Sequence, residues 1–325
     1  MAKEGHALVT GGAGFIGSHL VDSLLESGRH VTVLDNFDGF YPRAEKESNL
    51  ARHQGDHRLR VVEGDLRDDA AVREAFADPI DVVVHLAAKA GVRPSIERPL
   101  EYQDVNVRGT HVLLEACRER GIRQFVFASS SSVYGVNPRV PWREDDHVLL
   151  PISPYASTKV SGELLGHVYA SLFGIRFVAL RFFTVYGPRQ RPDLAIRKFA
   201  ELMTAGAAIP LYGEGSTRRD YTYVADVVQG LRAAMRYDAS PYEVINLGNH
   251  RSVTLAELVG ALERTLGVRA RITRLPEQQG DVPQTYASIE KARTLLGYEP
   301  TTPLEEGLSH VAAWLNERSA PAAVR

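Results

Sequence analysis

The sequence lacks paired cysteines, long hydrophobic runs and an excess of charge of either sign. With Cys117 as its single cysteine, the chain cannot form an intramolecular disulfide. Cys117 lies in an amphipathic helical pattern without metal-ligand spacing, and we interpret it as a small buried residue. No metal site is therefore predicted. The formal net charge of -2, without a block of like charges, disfavours nucleic acid as a partner.

No apolar run approaches the ~20 residues that a membrane-spanning helix requires. The N-terminal residues pass directly into a strand-like segment, so no signal peptide is evident. We therefore expect a cytoplasmic protein without a membrane partner. A length of 325 residues predicts two domains, or one large domain with a smaller lobe.

Strand-like and helix-like segments alternate through the first half of the chain. This alternation predicts an α/β fold with a doubly wound parallel Rossmann sheet and helices on both faces. Prolines and glycines interrupt the pattern after Gly187, and the segment ITRLPEQQGDVPQTYA is expected to be rich in loops. We predict a Rossmann domain over 1–187, with short stretches near 222–249, and a smaller C-terminal substrate-binding lobe mainly over 188–325.

The segment TGGAGFIGSHL has the G-x-G-x-x-G spacing of a dinucleotide-binding turn. Its glycines are Gly12, Gly14 and Gly17, with Gly11 before them. The first glycines permit a tight turn close to a pyrophosphate, and Gly17 permits close packing of helix on strand. Glycine clusters also mark ordinary strand-to-helix turns. Because this one follows a strand and opens a helix near the N-terminus, we predict that it binds NAD.

Residues at the ends of the next strands complete the predicted cofactor site. Asp35 ends the second strand, where an acid accepts the ribose hydroxyls of NAD, and Asn36 rather than arginine follows it. Asp65 is placed either to meet the adenine or to cap the next helix. Ala87 and Ala88 fit either a backbone approach to a ligand or plain packing. The other expected cofactor contacts are Phe15, Ile16, Leu66, Leu86, Lys89 and Asn106.

The segment YASTK places Tyr155 and Lys159 four residues apart, on one face of a helix. A free tyrosine has a pKa of about 10, too high for a base at neutral pH. A neighbouring ammonium stabilises the phenolate and lowers that pKa. Such a pair on a surface helix has no necessary function, but here it follows a dinucleotide motif. We therefore interpret Tyr155 and Lys159 as catalytic.

Four motifs, in the order TGGAGFIG, HLAA, SSSSVYG and YASTK, resemble the extended short-chain dehydrogenase/reductase family. This family includes NAD-dependent nucleotide-sugar epimerases, dehydratases and decarboxylases, and the resemblance covers nearly the whole chain. It implies that Tyr155 takes a proton from a sugar hydroxyl while hydride leaves for NAD. It also implies that Lys159 holds the nicotinamide ribose and that Ser130 hydrogen-bonds the reacting oxygen. In an epimerase the cycle is redox-neutral, so NAD need not leave.

The residues after Ser130 distinguish reactions within the family. Dehydratases resemble TDEVYG and decarboxylases resemble TSEVYG, whereas Ser131 and Ser132 occupy the corresponding acidic positions here. A serine hydroxyl is no acid or base near neutrality without an activating partner. We therefore predict epimerisation rather than elimination. Serine hydroxyls also donate hydrogen bonds to a sugar carboxylate, which a glutamate would repel.

The segments RFFTVYGPRQRPD and AGVRPSIERP resemble the UDP-glucuronate 4-epimerases in particular. On this resemblance we expect Thr184, Arg191 and Arg93 to bind the substrate, with an arginine fork on its carboxylate. A 4-keto uronic acid is a β-keto acid, so holding its carboxylate out of alignment with the carbonyl would suppress loss of carbon dioxide. Arg191 fits equally a diphosphate or a surface carboxylate, and Arg93 lies on a loop.

The stretches RRDYTYVADV and GDVPQTYA resemble the family's nucleotide site. They match Arg219 to the UDP diphosphate and Asp281 to the uridine ribose, although each residue fits a surface salt bridge as well. The predicted function is thus UDP-glucuronate 4-epimerase, with a UDP-glucose or UDP-N-acetylglucosamine 4-epimerase as the alternative and a decarboxylase as a third. By resemblance we also expect a homodimer that pairs the helices HVLLEACRERG and GELLGHVYASLFG.

Overall fold

The computed structural model describes residues 5–146, 150–276 and 282–319. The strands, in chain order, are β1 (His6–Thr10), β2 (His30–Asp35), β3 (Leu59–Glu63), β4 (Val82–His85), β5 (Gln124–Ser130), β6 (Arg176–Phe182), β7 (Thr184–Tyr186), β8 (Ala208–Tyr212), β9 (Arg218–Tyr223), β10 (Tyr242–Leu247), β11 (Ser252–Thr254) and β12 (Arg271–Leu275). The helices are α1 (Phe15–Glu26), α2 (Arg43–Leu50), α3 (Asp69–Ala75), α4 (Val92–Glu97), α5 (Pro99–Tyr102), α6 (Gly109–Arg120), α7 (Pro154–Phe173), α8 (Ala195–Thr204), α9 (Val224–Ala234), α10 (Leu255–Leu266), α11 (Glu290–Leu296) and α12 (Leu304–Ser319).

Seven parallel strands form the central sheet, in the order β10-β6-β5-β4-β1-β2-β3. The strand order reverses between β1 and β4, and this reversal leaves a crevice at their carboxyl ends. The predicted doubly wound parallel fold is confirmed. β10 joins this sheet beside β6, although it lies far along the chain within the stretch 222–249.

Alternate side chains of the central strands enter two separate cores. Val9 and Val84 pack with α1 and α9 on one face of the sheet. Leu8 and Val83 pack with α3, α6 and α7 on the other face. Because both faces are covered, strands such as VVVH are apolar at nearly every position. Cys117 is buried in the second core, as predicted.

The smaller lobe has two short sheets, one of β11-β9-β7 and one of β12-β8. Helices α8, α10 and α12 cover a third core in this lobe. The described part of the segment expected to be rich in loops is mostly loop, but its first residues belong to β12 (Arg271–Leu275), which pairs with β8 as a parallel strand. Its side chains are mostly exposed, so backbone pairing with β8 forms this strand and the sequence has no apolar run to indicate it. No helix of the described part of the chain is long and apolar enough to cross a membrane.

Candidate active site

A cleft of about 490 Å³ lies at the carboxyl ends of β1, β2, β4 and β5 and extends to the smaller lobe. Parallel strands bring their carboxyl ends to one edge, so loops that are distant in sequence meet there. The predicted site residues that line the cleft are Gly11, Gly14, Phe15, Ile16, Gly17, Asp35, Asn36, Asp65, Leu66, Leu86, Ala87, Ala88, Lys89, Ser130, Ser131, Ser132, Tyr155, Lys159, Thr184, Arg191 and Arg219.

The glycine turn between β1 and α1 fits a pyrophosphate. Gly11 has a φ of +71°, and a Cβ there would lie 2.8 Å from the backbone nitrogen of Ala87. A Cβ on Gly17 would overlap the carbonyl oxygen of Gly11. Helix α1 follows with Gly14 as its N-cap, no side-chain cap and no acid in its first turn. The N–H groups of Gly11, Ala13 and Gly14 are already bonded within the protein, so an anion here would meet the positive N-terminal end of α1.

Asp35 lies buried at the end of β2, at the position predicted for ribose recognition. Its carboxylate accepts hydrogen bonds from the backbone N–H groups of Ala13 (3.1 Å) and Phe37 (2.8 Å). Burial raises the pKa of Asp35, and the Lys46 ammonium, 3.9 Å away, opposes this shift. Lys46 also lines the cleft but was not predicted. Lys46 lies on α2, outside the recognised motifs, so nothing in the sequence indicated that it would line the cleft.

Asp65 follows β3 and is held by neighbouring polar groups. It accepts from the Arg67 guanidinium at 2.8 Å and from the Asn36 amide at 3.0 Å, and the arginine lowers the pKa of Asp65 to about 2. The helix-capping alternative for Asp65 was wrong, because Asp68 caps α3 through the N–H of Ala70. The contact of Asp65 with adenine stays a prediction.

Lys89 and Asn106 differ in their relation to the cleft. The Lys89 ammonium lines it and pairs with Asp38 at 2.9 Å and Glu101 at 2.8 Å. Asn106 is not among the lining residues. Its side-chain oxygen accepts a hydrogen bond from the backbone N–H of Lys89, and its NH2 group donates to the carbonyl of Lys89 and to the hydroxyl of Thr158. Asn106 thus fixes the loop after β4 rather than lining the cofactor site.

All four consecutive serines line the cleft, but the Ser129 hydroxyl is engaged inside the protein. Ser129 is buried and donates to the carboxylate of Glu163. Ser130 ends β5, and its hydroxyl accepts from the backbone N–H (3.2 Å) and the hydroxyl (2.9 Å) of Ser132. Ser131 also lines the cleft. Two hydroxyls that bond each other beside a reactive phenol can together orient a sugar oxygen.

Tyr155 and Lys159 project from the first turns of α7 beside the serines. The Lys159 ammonium donates to the Ala128 carbonyl at 2.7 Å and lies 5.8 Å from the centroid of the Tyr155 ring. Burial lowers the pKa of Lys159 to about 8. Burial also raises the pKa of Tyr155, while a hydrogen bond with Ser130 and the charge of Arg191 lower it. Arg191, which the sequence predicted as a substrate-binding residue, therefore also lowers the pKa of the Tyr155 phenol.

The predicted substrate residues are distributed along the far wall of the cleft. Thr184 begins β7, and Arg191 is held by a two-point ion pair to Asp193, at 3.0 and 2.8 Å. Arg219 lies on β9 and donates to the carbonyl of Arg218. Arg93 is not among the lining residues, and its guanidinium lies 5.3 Å from the centroid of the Tyr212 ring. Asp281 lies outside the described residues.

The lining carboxylates cluster in one part of the cleft, where Lys46 and Lys89 pair with two of them. Among lining residues within the described ranges, the carboxylates are Asp35, Asp38 and Asp65, all on β2 or the loops after β2 and β3. The end near Tyr155 has instead the cations of Lys159, Arg191 and Arg219, together with the serine and threonine hydroxyls. Around Tyr155 the cleft thus offers cations and hydroxyls to an anionic ligand, and among the described residues no carboxylate lines it there.

Comparison with known proteins relates this architecture to one family. The chain matches the model of the NAD dependent epimerase/dehydratase family over residues 7–248. It is 41% identical over 326 residues to UDP-glucuronate 4-epimerase 3 of Arabidopsis thaliana, covering 94% of this chain and 75% of that protein.

Two solved structures are similar over nearly the whole chain. The UDP-glucuronic acid 4-epimerase of Bacillus cereus, in complex with UDP-glucuronic acid and NAD, has a TM-score of 0.89 and 38% identity, covering 96% of this chain and 99% of that one. The UDP-glucose 4-epimerase of Thermotoga maritima with UDP-glucose has a TM-score of 0.89 and 34% identity, with coverage of 96% and 99%. The match to the family model begins in β1 and ends just after β10, so it includes the glycine turn, the serines and the Tyr155–Lys159 pair. This confirms the relationship expected from the sequence motifs: the chain belongs to the NAD-dependent epimerase/dehydratase family.

Proposed function

We propose that this enzyme is a UDP-glucuronate 4-epimerase, which interconverts UDP-glucuronate and UDP-galacturonate with tightly held NAD. The observation that carries the proposal is the composition of the cleft around Tyr155. Hydroxyls and cations line it, and the lining carboxylates of the described residues belong to β2 and to the loops after β2 and β3. The similarity to the Arabidopsis and Bacillus cereus enzymes supports the same substrate.

The residues around the glycine turn and Asp35 would hold the cofactor. When bound, NAD accepts and returns the hydride of sugar carbon 4. Tyr155 takes the proton of the 4-hydroxyl and returns it, and Ser130 hydrogen-bonds the same oxygen, which keeps it aligned with the phenol. Lys159 supplies positive charge behind the phenol, from its place beside the Ala128 carbonyl. Both hydrogen and proton return to the sugar, so the reaction needs no external oxidant.

Ser132, Thr184 and Arg191 are proposed to hold the carboxylate of the substrate. The oxidised sugar is a β-keto acid, and it loses carbon dioxide when its carboxylate bond aligns with the carbonyl π system. Arg191 is suited to prevent this alignment because the ion pair with Asp193 fixes the plane of its guanidinium. Arg219, further along the same wall, is proposed to bind the diphosphate.

Incubation of the purified protein with UDP-glucuronate, without added NAD, tests the proposal. We expect UDP-galacturonate and no UDP-xylose, identified by chromatography and mass spectrometry. Formation of UDP-xylose would identify a decarboxylase. Turnover of UDP-glucose or UDP-N-acetylglucosamine, without turnover of UDP-glucuronate, would replace the proposal with an epimerase of neutral sugars.

A homodimer is also proposed, through the outer face of α7. Leu164, Val168 and Leu172 recur every four residues on this helix and are 57%, 44% and 69% exposed. The apolar positions of α6, such as Leu113, are instead buried within the chain, so α7 supplies the apolar contact. A second copy of α7 would cover this stripe. Sedimentation should show a dimer for the natural chain and a monomer for the double variant Leu164→Glu, Leu172→Glu.

A cytoplasmic location is proposed as well. The thiol of Cys117 is fully buried and has no partner cysteine in the sequence, so folding requires no oxidising compartment. Cell fractionation that found the protein outside the cytoplasm would contradict this assignment.

A further inference from the structure

A buried ion pair lies directly behind the catalytic residues. Glu163, one helical turn after Lys159 on α7, accepts from the Arg181 guanidinium at 2.9 Å (Nε to Oε1) and 2.8 Å (Nη2 to Oε2). Both side chains are more than nine-tenths buried. The Glu163 carboxylate also accepts from the hydroxyl of Ser129. Burial of two charges is unfavourable unless both are paired and hydrogen-bonded, and here they are.

This network joins the elements that carry the catalytic groups. Ser129 immediately precedes Ser130 on β5, and Glu163 lies on the same helix as Tyr155 and Lys159. The Ser129–Glu163 hydrogen bond therefore ties the strand end to the helix within one residue of Ser130 and one turn of Lys159. Arg181, on the neighbouring β6, fixes the carboxylate from the other side.

The charge of Glu163 acts on Lys159 itself. Burial lowers the pKa of Lys159, and the Glu163 carboxylate is the charged group that opposes the shift. Of the other titratable groups, Tyr155 lies on the same helix and Arg181 faces the network from β6. His85 approaches from β4, but its two ring nitrogens bond threonine hydroxyls, and burial lowers its pKa to about 3. His85 is therefore neutral at the pH values at which Lys159 titrates.

We propose that Glu163 is a positioning residue of the epimerase: its carboxylate aligns Ser130 with Tyr155 through Ser129 and stabilises the charged form of the Lys159 ammonium. The role of Glu163 in catalysis rests on the proposed function. The effect of the Glu163 charge on Lys159, one helical turn away, does not, since it concerns two side chains of the folded protein.

The pH dependence of activity in Glu163→Gln tests the charge. Glutamine keeps the shape and can still accept from Ser129, but it removes the negative charge and leaves Arg181 positive. Both changes favour loss of the Lys159 proton at lower pH. We expect the alkaline limb of the kcat/KM profile to move to lower pH in the variant, by about one pH unit. A variant with lower activity but an unmoved limb would overturn the proposal.

Two further variants separate charge from general stability. Ser129→Ala removes the link to β5 without a change of charge, so kcat should fall while the alkaline limb stays in place. Asp226→Asn is the matched control, because Asp226 is a buried carboxylate that bonds Thr301 and Thr302 away from the cleft. Its variant should lower the melting temperature without moving the limb. A limb that moves equally in Asp226→Asn would refute a specific role for Glu163.

Lysine side-chain NMR provides a readout that needs no substrate. The chain has only six lysines, so the protein labelled with 13C at lysine Cε gives six signals, and Lys159→Arg identifies that of Lys159. The titration midpoint of this signal should be lower in Glu163→Gln than in the natural chain. Equal midpoints would contradict an effect of the Glu163 charge on Lys159. If the natural enzyme turns over no nucleotide sugar, the proposed function fails and this titration still decides the role of Glu163.

Discussion

Replacement of Ser132 by glutamate is the most informative change in the substrate end of the cleft. The hydroxyl of Ser132 lies 2.9 Å from that of Ser130, so a side chain at this position reaches the sugar that Tyr155 acts on. A glutamate there would place a second negative charge beside the substrate carboxylate. A neutral sugar has no such charge, and the variant should therefore discriminate between the two substrates.

The magnitude follows from Coulomb's law. Two unit charges about 5 Å apart, at an effective dielectric constant of about 20, repel by about 3 kcal/mol. Since 1.4 kcal/mol is a factor of ten, this corresponds to roughly two hundredfold in kcat/KM. Arg191 is present in the natural enzyme and in the variant alike, so its attraction for the substrate carboxylate does not offset this loss.

The assay compares kcat/KM for UDP-glucuronate and UDP-glucose in the natural enzyme, in Ser132→Glu and in Ser132→Gln. Glutamine has nearly the same size as glutamate without its charge, so it separates repulsion from crowding. We expect the preference for UDP-glucuronate to fall in the glutamate variant alone. Equal losses for both substrates, or the same loss with glutamine, would refute the placement of a carboxylate beside Ser132.

Three other changes test the cofactor and catalytic assignments. Gly17→Ala should abolish NAD retention, because the new Cβ would overlap the Gly11 carbonyl. Retention is measured as the nucleotide released on denaturation. Gly260→Ala is the control, because Gly260 has room for a Cβ and the variant should retain NAD. Lys89→Gln removes one ion pair to Asp38 on the loop after β2 and one to Glu101 on α5. NAD should then dissociate about fivefold faster, from about 1 kcal/mol of lost pairing, and unchanged release would contradict this. Tyr155→Phe should lower kcat by roughly 10² to 10⁴ with NAD content unchanged; activity near that of the natural enzyme would exclude Tyr155 as the base.

Local motifs made part of the site predictable from the sequence. The glycine turn and the Tyr155–Lys159 spacing each place their groups within one turn of backbone, so a short segment suffices to recognise them. The alternation of strands and helices likewise indicated the parallel sheet, because each strand is buried on both faces.

Contacts between distant segments were not predictable in this way. No sequence motif pairs Glu163 with Arg181, and only the folded chain buries them together. Lys46, on α2, likewise approaches Asp35, at the end of β2, only in the folded chain. The serine run shows the same limit. Its residues are identical in kind, and only the fold distinguishes Ser129, whose hydroxyl bonds the buried Glu163, from Ser130, whose hydroxyl bonds Ser132.

The fate of the hydrogen on sugar carbon 4 tests the central claim most directly. UDP-glucuronate that carries deuterium at carbon 4 is incubated with the purified protein, without added NAD, and the products are analysed by mass spectrometry and NMR. The account predicts UDP-galacturonate with the deuterium retained at carbon 4, because the same cofactor returns the hydrogen that it took. Loss of the deuterium to solvent, or its appearance in a pentose with release of carbon dioxide, would contradict it.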